Sequence, residues 1–149
     1  MVLWRISNQL SLDGKSGLVV SGRWHTRGRR VVYSAESPAA ALLEVLVHFE
    51  IELRDLPARY RLLRLEAPDD IQVEEVPVGL LPADWALKAE VTRAIGEDWL
   101  ARGERALLRA PSALVPDTFN VLVNPVHEHA RHVDVVHASE HVIDPRLLK

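Results

Sequence analysis

The stretch Arg30-Val31-Val32-Tyr33-Ser34-Ala35-Glu36-Ser37-Pro38-Ala39-Ala40-Ala41-Leu42-Leu43-Glu44-Val45-Leu46-Val47-His48 decides the fold class, because it joins a strand directly to a helix. Arg30 to Ala35 has the β-branched and aromatic content of a strand. Ser37 is the expected N-cap and Pro38 takes the first helical position, so a helix begins there and runs to about His48. At about 100° per residue, Ala39, Leu42, Leu43, Leu46 and Phe49 share one face, and Ala40, Ala41, Glu44 and His48 share the other. The wheel predicts a helix seated on the core through its leucines. Glu44 is then expected to point away from the packed stripe, with two alanines beside it leaving room for a ligand.

Outward from this unit, Val2 to Ile6 reads as a short strand and Asp13 to Gly17 as a turn. Arg59 to Ala67 and Ile71 to Val76 are expected strands on either side of Pro68-Asp69-Asp70. A second helix is expected from Ala89 to Arg102, ended by Gly103, although Gly96 inside it costs about 1 kcal/mol relative to alanine. Short strands follow near Ala106 to Arg109, Phe119 to Val123 and Val133 to His137, with turns at Pro111-Ser112 and Asn124-Pro125. Strands outnumber helices without regular alternation. The expected fold is therefore α+β, a mixed β-sheet core with flanking helices. With 149 residues, no repeat and no linker, residues 1–149 read as a single domain.

An apolar fraction of 48% with 26% charged excludes a disordered chain. No run reaches the ~18 to 20 apolar residues of a membrane span, and the first residues lack a signal-peptide layout, so a cytoplasmic location with no membrane partner is expected. Absence of cysteine excludes disulfides, thiolate metal sites and a cysteine nucleophile. The net charge of −3 conceals a split: residues 1–35 carry +5, leaving −8 for the other 114. Trp85 and Trp99 are read as core residues rather than interface ones.

The basic segment holds Arg23, Arg27, Arg29 and Arg30 around Gly22 and Gly28, guanidinium forks on pliable backbone, as an anionic phosphate ligand requires. A solvated loop and a nucleic-acid patch are the competing readings, and the acidic remainder speaks against direct nucleic-acid binding. Five of the seven histidines fall in residues 127–149, but their spacing carries no carboxylate in a defined ligand pattern, and no metal site is expected. Phosphate-loop, dinucleotide-fold and serine-hydrolase elbow motifs are absent.

Several of these pieces together resemble a known family. Gly22-Arg23-Trp24-His25-Thr26-Arg27-Gly28, Val31-Val32-Tyr33-Ser34-Ala35-Glu36-Ser37 and Ala41-Leu42-Leu43-Glu44-Val45-Leu46-Val47-His48 resemble the core of the RES domain. Leu108-Arg109-Ala110-Pro111-Ser112-Ala113 is similar to the segment bearing the family serine. Phe119-Asn120-Val121-Leu122-Val123-Asn124-Pro125 is similar to its Asn-Pro turn, and Ile143-Asp144-Pro145-Arg146-Leu147 to its closing motif. Ser21 and His25 depart from the family pattern: many members have glycine at the first position, and asparagine is common at the second.

The resemblance implies an ADP-ribosyltransferase-like fold and a toxin of a bacterial toxin–antitoxin pair that consumes NAD as substrate, with no separate cofactor. It implies an Xre-type helix-turn-helix antitoxin as partner, and a homodimer within a larger complex. It carries Arg23, Tyr33, Glu44 and Ser112 over as the catalytic site, with Arg5 and Asn124 as further NAD-binding residues. The resemblance implies an NAD glycohydrolase or phosphorylase or, alternatively, an ADP-ribosyltransferase acting on a protein; the basic segment read without it leaves a third expectation, a non-enzymatic basic interaction module. The chemistry of the residues is compatible with the first two. Arg23 suits a pyrophosphate, and an ionised Glu44 suits a ribose on which positive charge grows. Tyr33 offers a flat ring, and Ser112 a donor for a ribose hydroxyl or a phosphate oxygen.

Overall fold

The computed structural model describes residues 1–48 and 58–148; the expected core position Phe49 lies outside them. The elements in chain order are β1 (Val2–Ile6), β2 (Val32–Ala35), α1 (Pro38–His48), β3 (Arg59–Glu66), β4 (Val73–Glu75), α2 (Ala89–Arg102), β5 (Leu107–Pro111), β6 (Phe119–Val123) and β7 (Asp134–Val142). Among the described residues these strands form one seven-stranded sheet in the order β4-β5-β6-β2-β1-β3-β7. Only β4 and β5 pair in parallel, so the sheet is mixed and the fold α+β, as the interspersed pattern predicts. β7 is longer than expected and β4 shorter. No described helix is long and apolar enough to cross a membrane.

The pairing register sets the two faces. Trp4 opposes Ala35, Ala35 opposes Asn120, and Asn120 opposes Ala110, which makes one row across four strands on one face. Tyr33, Leu122 and Leu108 form the next row on the same face, about 7 Å further along the strands. Both α-helices cover this face. α2 packs through Trp99 with Trp24, Leu108 and Leu122, and α1 with Trp4, Ile6 and Ala35. Residues of opposite parity, including Leu3, Val32, Leu63, Leu65, Leu107 and Val121, build the core of the other face.

α1 corrects the wheel. Its buried residues are Ala40 and Ala41, whereas Leu43 is 41% and Val47 57% exposed. The helix is apolar on nearly every side between Ala39 and Val47, so hydrophobicity alone does not choose its face. Close approach does: the bulky Trp4 and Ile6 on the sheet leave space only for alanines above them. Glu44, one turn beyond Ala40, therefore leans toward the sheet, and the alanines beside it fill a helix–sheet contact rather than leave a ligand space.

Gly96 also finds its reason. A Cβ there would overlap the Trp24 carbonyl, so its propensity cost allows α2 to touch the loop that carries Arg23.

Candidate active site

Arg23 sits at the tip of a tight turn. Gly22 and His25 pair as a bridge, with the Gly22 N–H donating to the His25 carbonyl at 3.1 Å, which leaves Arg23 and Trp24 as the two central residues. Trp24 is 1% exposed and plugs into the core beneath α2. Thr92 Oγ1 donates to the Arg23 carbonyl at 2.6 Å, and Arg93 Nε donates to the Gly22 carbonyl at 2.9 Å. The half-buried Arg23 side chain donates through Nη1 to the Ala86 carbonyl at 3.0 Å. Its remaining N–H groups have no protein partner among the described residues, which leaves them for an anion.

The two departures from the family pattern support this turn. Ser21 Oγ accepts from the Arg27 N–H at 2.9 Å. His25, buried, places Nδ1 2.8 Å from the Tyr33 hydroxyl and Nε2 3.2 Å from the Gly17 carbonyl. A carbonyl only accepts, so Nε2 carries the proton and Nδ1 accepts from Tyr33. The Trp24 N–H donates to the same hydroxyl at 3.1 Å. Tyr33 is thereby committed to the turn, and Gly22 is required because a Cβ there would collide with the Tyr33 hydroxyl. Burial pushes the Tyr33 phenol above its ordinary range, with Glu97 and Glu44 adding to the rise, and burial pulls the His25 imidazole down. Both groups are held neutral at pH 7.

Glu44 reaches from α1 across to the ends of β5 and β6. Its Oε1 accepts from Ser112 Oγ at 2.9 Å and from Asn120 Nδ2 at 2.8 Å. Oε2 has no protein partner among the described residues and is not sealed from solvent. Ser112 Oγ in turn accepts from the backbone of Leu114 at 3.1 Å and Val115 at 3.4 Å. Its hydroxyl is thus used up: a turn serine that also supports a carboxylate, not the free donor expected from sequence.

Arg23, Tyr33, Glu44 and Ser112 therefore belong to one face of the sheet, with Tyr33 one row from Asn120 and near enough to Glu44 to feel its charge. Arg5 and Asn124 do not join them. Strand alternation puts Arg5 on the opposite face with Leu3, where Nη1 donates to the Tyr33 carbonyl at 2.8 Å. Asn124 lies four residues beyond Asn120. Its Oδ1 accepts from the Val126 N–H at 3.2 Å, closing the Asn124-Pro125 turn, and it lines a cavity of about 200 Å³ with Arg29, Arg30 and His127. Two residues escaped the sequence reading. Asn120 was hidden in an apolar strand, and Arg93, which brings a second guanidinium to the Arg23 turn, in an amphipathic helix; neither has a local motif.

The remaining candidates resolve separately. Arg29 pairs with Glu97 at 3.2 Å and Arg30 donates to the Asp13 carbonyl at 3.2 Å, so acidic and carbonyl groups already answer part of the basic segment. Trp99 is core, and Trp85 packs half-buried against Trp24. His127, His129 and His132 lie ring against ring in a short turn, and no metal-ligating cluster is found among the described residues.

Residues 2–144 match the family model described as RES domain. A protein named Toxin Res from Pseudomonas putida is 48% identical over 131 residues, covering 88% of this chain and 89% of its own. One named Prs ADP-ribosylating toxin from Sphingobium is 31% identical over 98% of this chain and 96% of its own, and a Toxin Res from Photorhabdus laumondii 32% identical over 100% and 98%. Matched across nearly its whole length by the family model and by these toxins, the chain belongs to the RES domain family.

Proposed function

We propose that this RES-family toxin depletes NAD by breaking the nicotinamide–ribose bond, with water or phosphate as acceptor. The observation that carries the reading is the Glu44 carboxylate, held through one oxygen by Ser112 and Asn120 with the other left open, on the face that carries the Arg23 turn. NAD is a substrate here, and the step needs no cofactor or metal. The bond from the ribose C1′ to the pyridinium nitrogen breaks and its electron pair neutralises the ring, so nicotinamide leaves without a general acid. Positive charge grows on the ribose, where a fixed carboxylate stabilises it. An acceptor oxygen then bonds to C1′ and its proton passes to solvent. Arg23, with Arg93 beside it, supplies positive charge for the pyrophosphate.

The relative named as an ADP-ribosylating toxin supports a second reading, in which the acceptor is a protein side chain. The toxin relatives further support an antitoxin partner. The resemblance that runs through the whole chain favours an Xre-type helix-turn-helix protein, a toxin homodimer within the complex and a cytoplasmic site of action. Nicotinamide release by purified protein, with and without phosphate, tests the reading. Arg23→Ala and Glu44→Gln are expected to lower release at least about 100-fold. Absence of release in both conditions, with labelled NAD marking no protein in lysate, overturns both versions.

A further inference from the structure

We infer that Asn120 is the positioning residue of the Glu44 carboxylate, retained at a cost in stability to hold Oε1 so that Oε2 faces the ligand. Asn120 lies on β6 between Ala35 and Ala110 in the row that α1 covers, and is 8% exposed. Its neighbours in sequence, Val121, Leu122 and Val123, are all core. An amide in this place demands an explanation, since an apolar residue of the same shape would pack there without polar atoms to satisfy.

The amide's orientation is determined by its partner. A carboxylate only accepts, so the group 2.8 Å from Glu44 Oε1 must be the NH₂ end. That turns Oδ1 the other way, where it is buried without a hydrogen-bond partner among the described residues. Half of the amide is therefore left unsatisfied for the sake of the other half, an arrangement that packing does not favour and that placement of a carboxylate explains.

Ser112 and Asn120 divide the work. Both donate to the same oxygen, Ser112 from the end of β5 and Asn120 from within β6, so the carboxylate is held from two strands and cannot rotate without losing both bonds. Asn120 does not need to touch substrate: it acts through Glu44, and the inference rests on the reading of Glu44 as the carboxylate that faces the ribose.

The test uses the full chain with Asn120→Leu, Asn120→Asp, Glu44→Ala and the double variant Glu44→Ala/Asn120→Leu. Asn120→Leu is expected to lower kcat for nicotinamide release by about tenfold or more, with KM within about threefold and a melting temperature no lower than wild type. A residue that merely fills the core would lose activity only in step with stability. Asn120→Asp keeps the shape but sets two carboxyl groups against each other, so its activity relative to wild type should climb towards acid pH, where a shared proton restores the bond. Asn120→Leu with wild-type kcat, or a flat pH ratio for Asn120→Asp, overturns the inference. Urea unfolding of the two single variants and the double variant separates this from failure of the NAD reading. Non-additive unfolding energies with no nicotinamide release by wild type reject NAD cleavage and retain the positioning of Glu44. Strictly additive energies reject the positioning whatever the activity.

Discussion

Ser112 Oγ donates its one proton to Glu44 Oε1 at 2.9 Å, across 68 residues of chain, while two backbone N–H groups point at the same oxygen. A hydroxyl so engaged supports the carboxylate and is not poised to attack C1′. Ser112→Ala should therefore lower nicotinamide release by roughly 10- to 100-fold, the worth of one hydrogen bond to a charged group, without abolishing it. Steady-state kinetics check the size. Mass spectrometry under turnover should find no adduct on Ser112, and an adduct there would contradict the assignment.

The Tyr33 hydroxyl joins two groups of the Arg23 turn, so its removal should be felt there. Tyr33→Phe leaves His25 Nδ1 and the Trp24 N–H without their partner and is expected to cost about 1–3 kcal/mol in urea unfolding. Its KM for NAD should rise more than its kcat falls, because the displaced group is the one placed for the pyrophosphate. Equal loss in both parameters would assign Tyr33 a more direct part in bond cleavage.

His25 predicts a pH dependence of stability. Burial lowers its pKa in the folded state, so above its ordinary value of about 6.5 both folded and unfolded forms are neutral and the full stability is present. As pH falls below that value the unfolded chain takes up a proton that the folded one refuses, and stability is lost. The melting temperature of wild type should therefore drop more between pH 7.5 and 5.5 than that of His25→Asn, which has no titrating ring. Equal drops would show that His25 does not contribute.

Gly96→Ala opposes helix propensity to packing. Alanine gains about 1 kcal/mol in an isolated helix, yet its Cβ would overlap the Trp24 carbonyl. Overpacking of this kind costs about 1–3 kcal/mol, so the variant should melt lower than wild type and release nicotinamide more slowly through the displaced Arg23 turn. A higher melting temperature would mean that α2 shifts freely.

Local chemistry made much of the fold legible. Pro38 opens α1, Gly103 in the left-handed conformation closes α2, and the strands at Val2–Ile6 and Phe119–Val123 follow their β-branched and aromatic runs. Such signals act over a few residues and are written in the residues themselves. The glutamate, the serine and the Arg23 turn were legible because their short motifs recur in a recognisable order.

The face of α1 and the support of Glu44 were decided only by tertiary structure. A helix apolar almost all round carries no periodic signal to say which side packs, and it was Trp4 and Ile6, more than 30 residues earlier in the chain, that selected the alanine side. Asn120 and Ser112 reach Glu44 from 76 and 68 residues away, through a strand order in which β6 is brought beside β2 and β5 beside β6. Arg5 shows the converse: strand alternation carried it to the other face of the sheet. The sequence determined which residues have the chemistry, because that is a property of each side chain; the sheet register determined which of them meet.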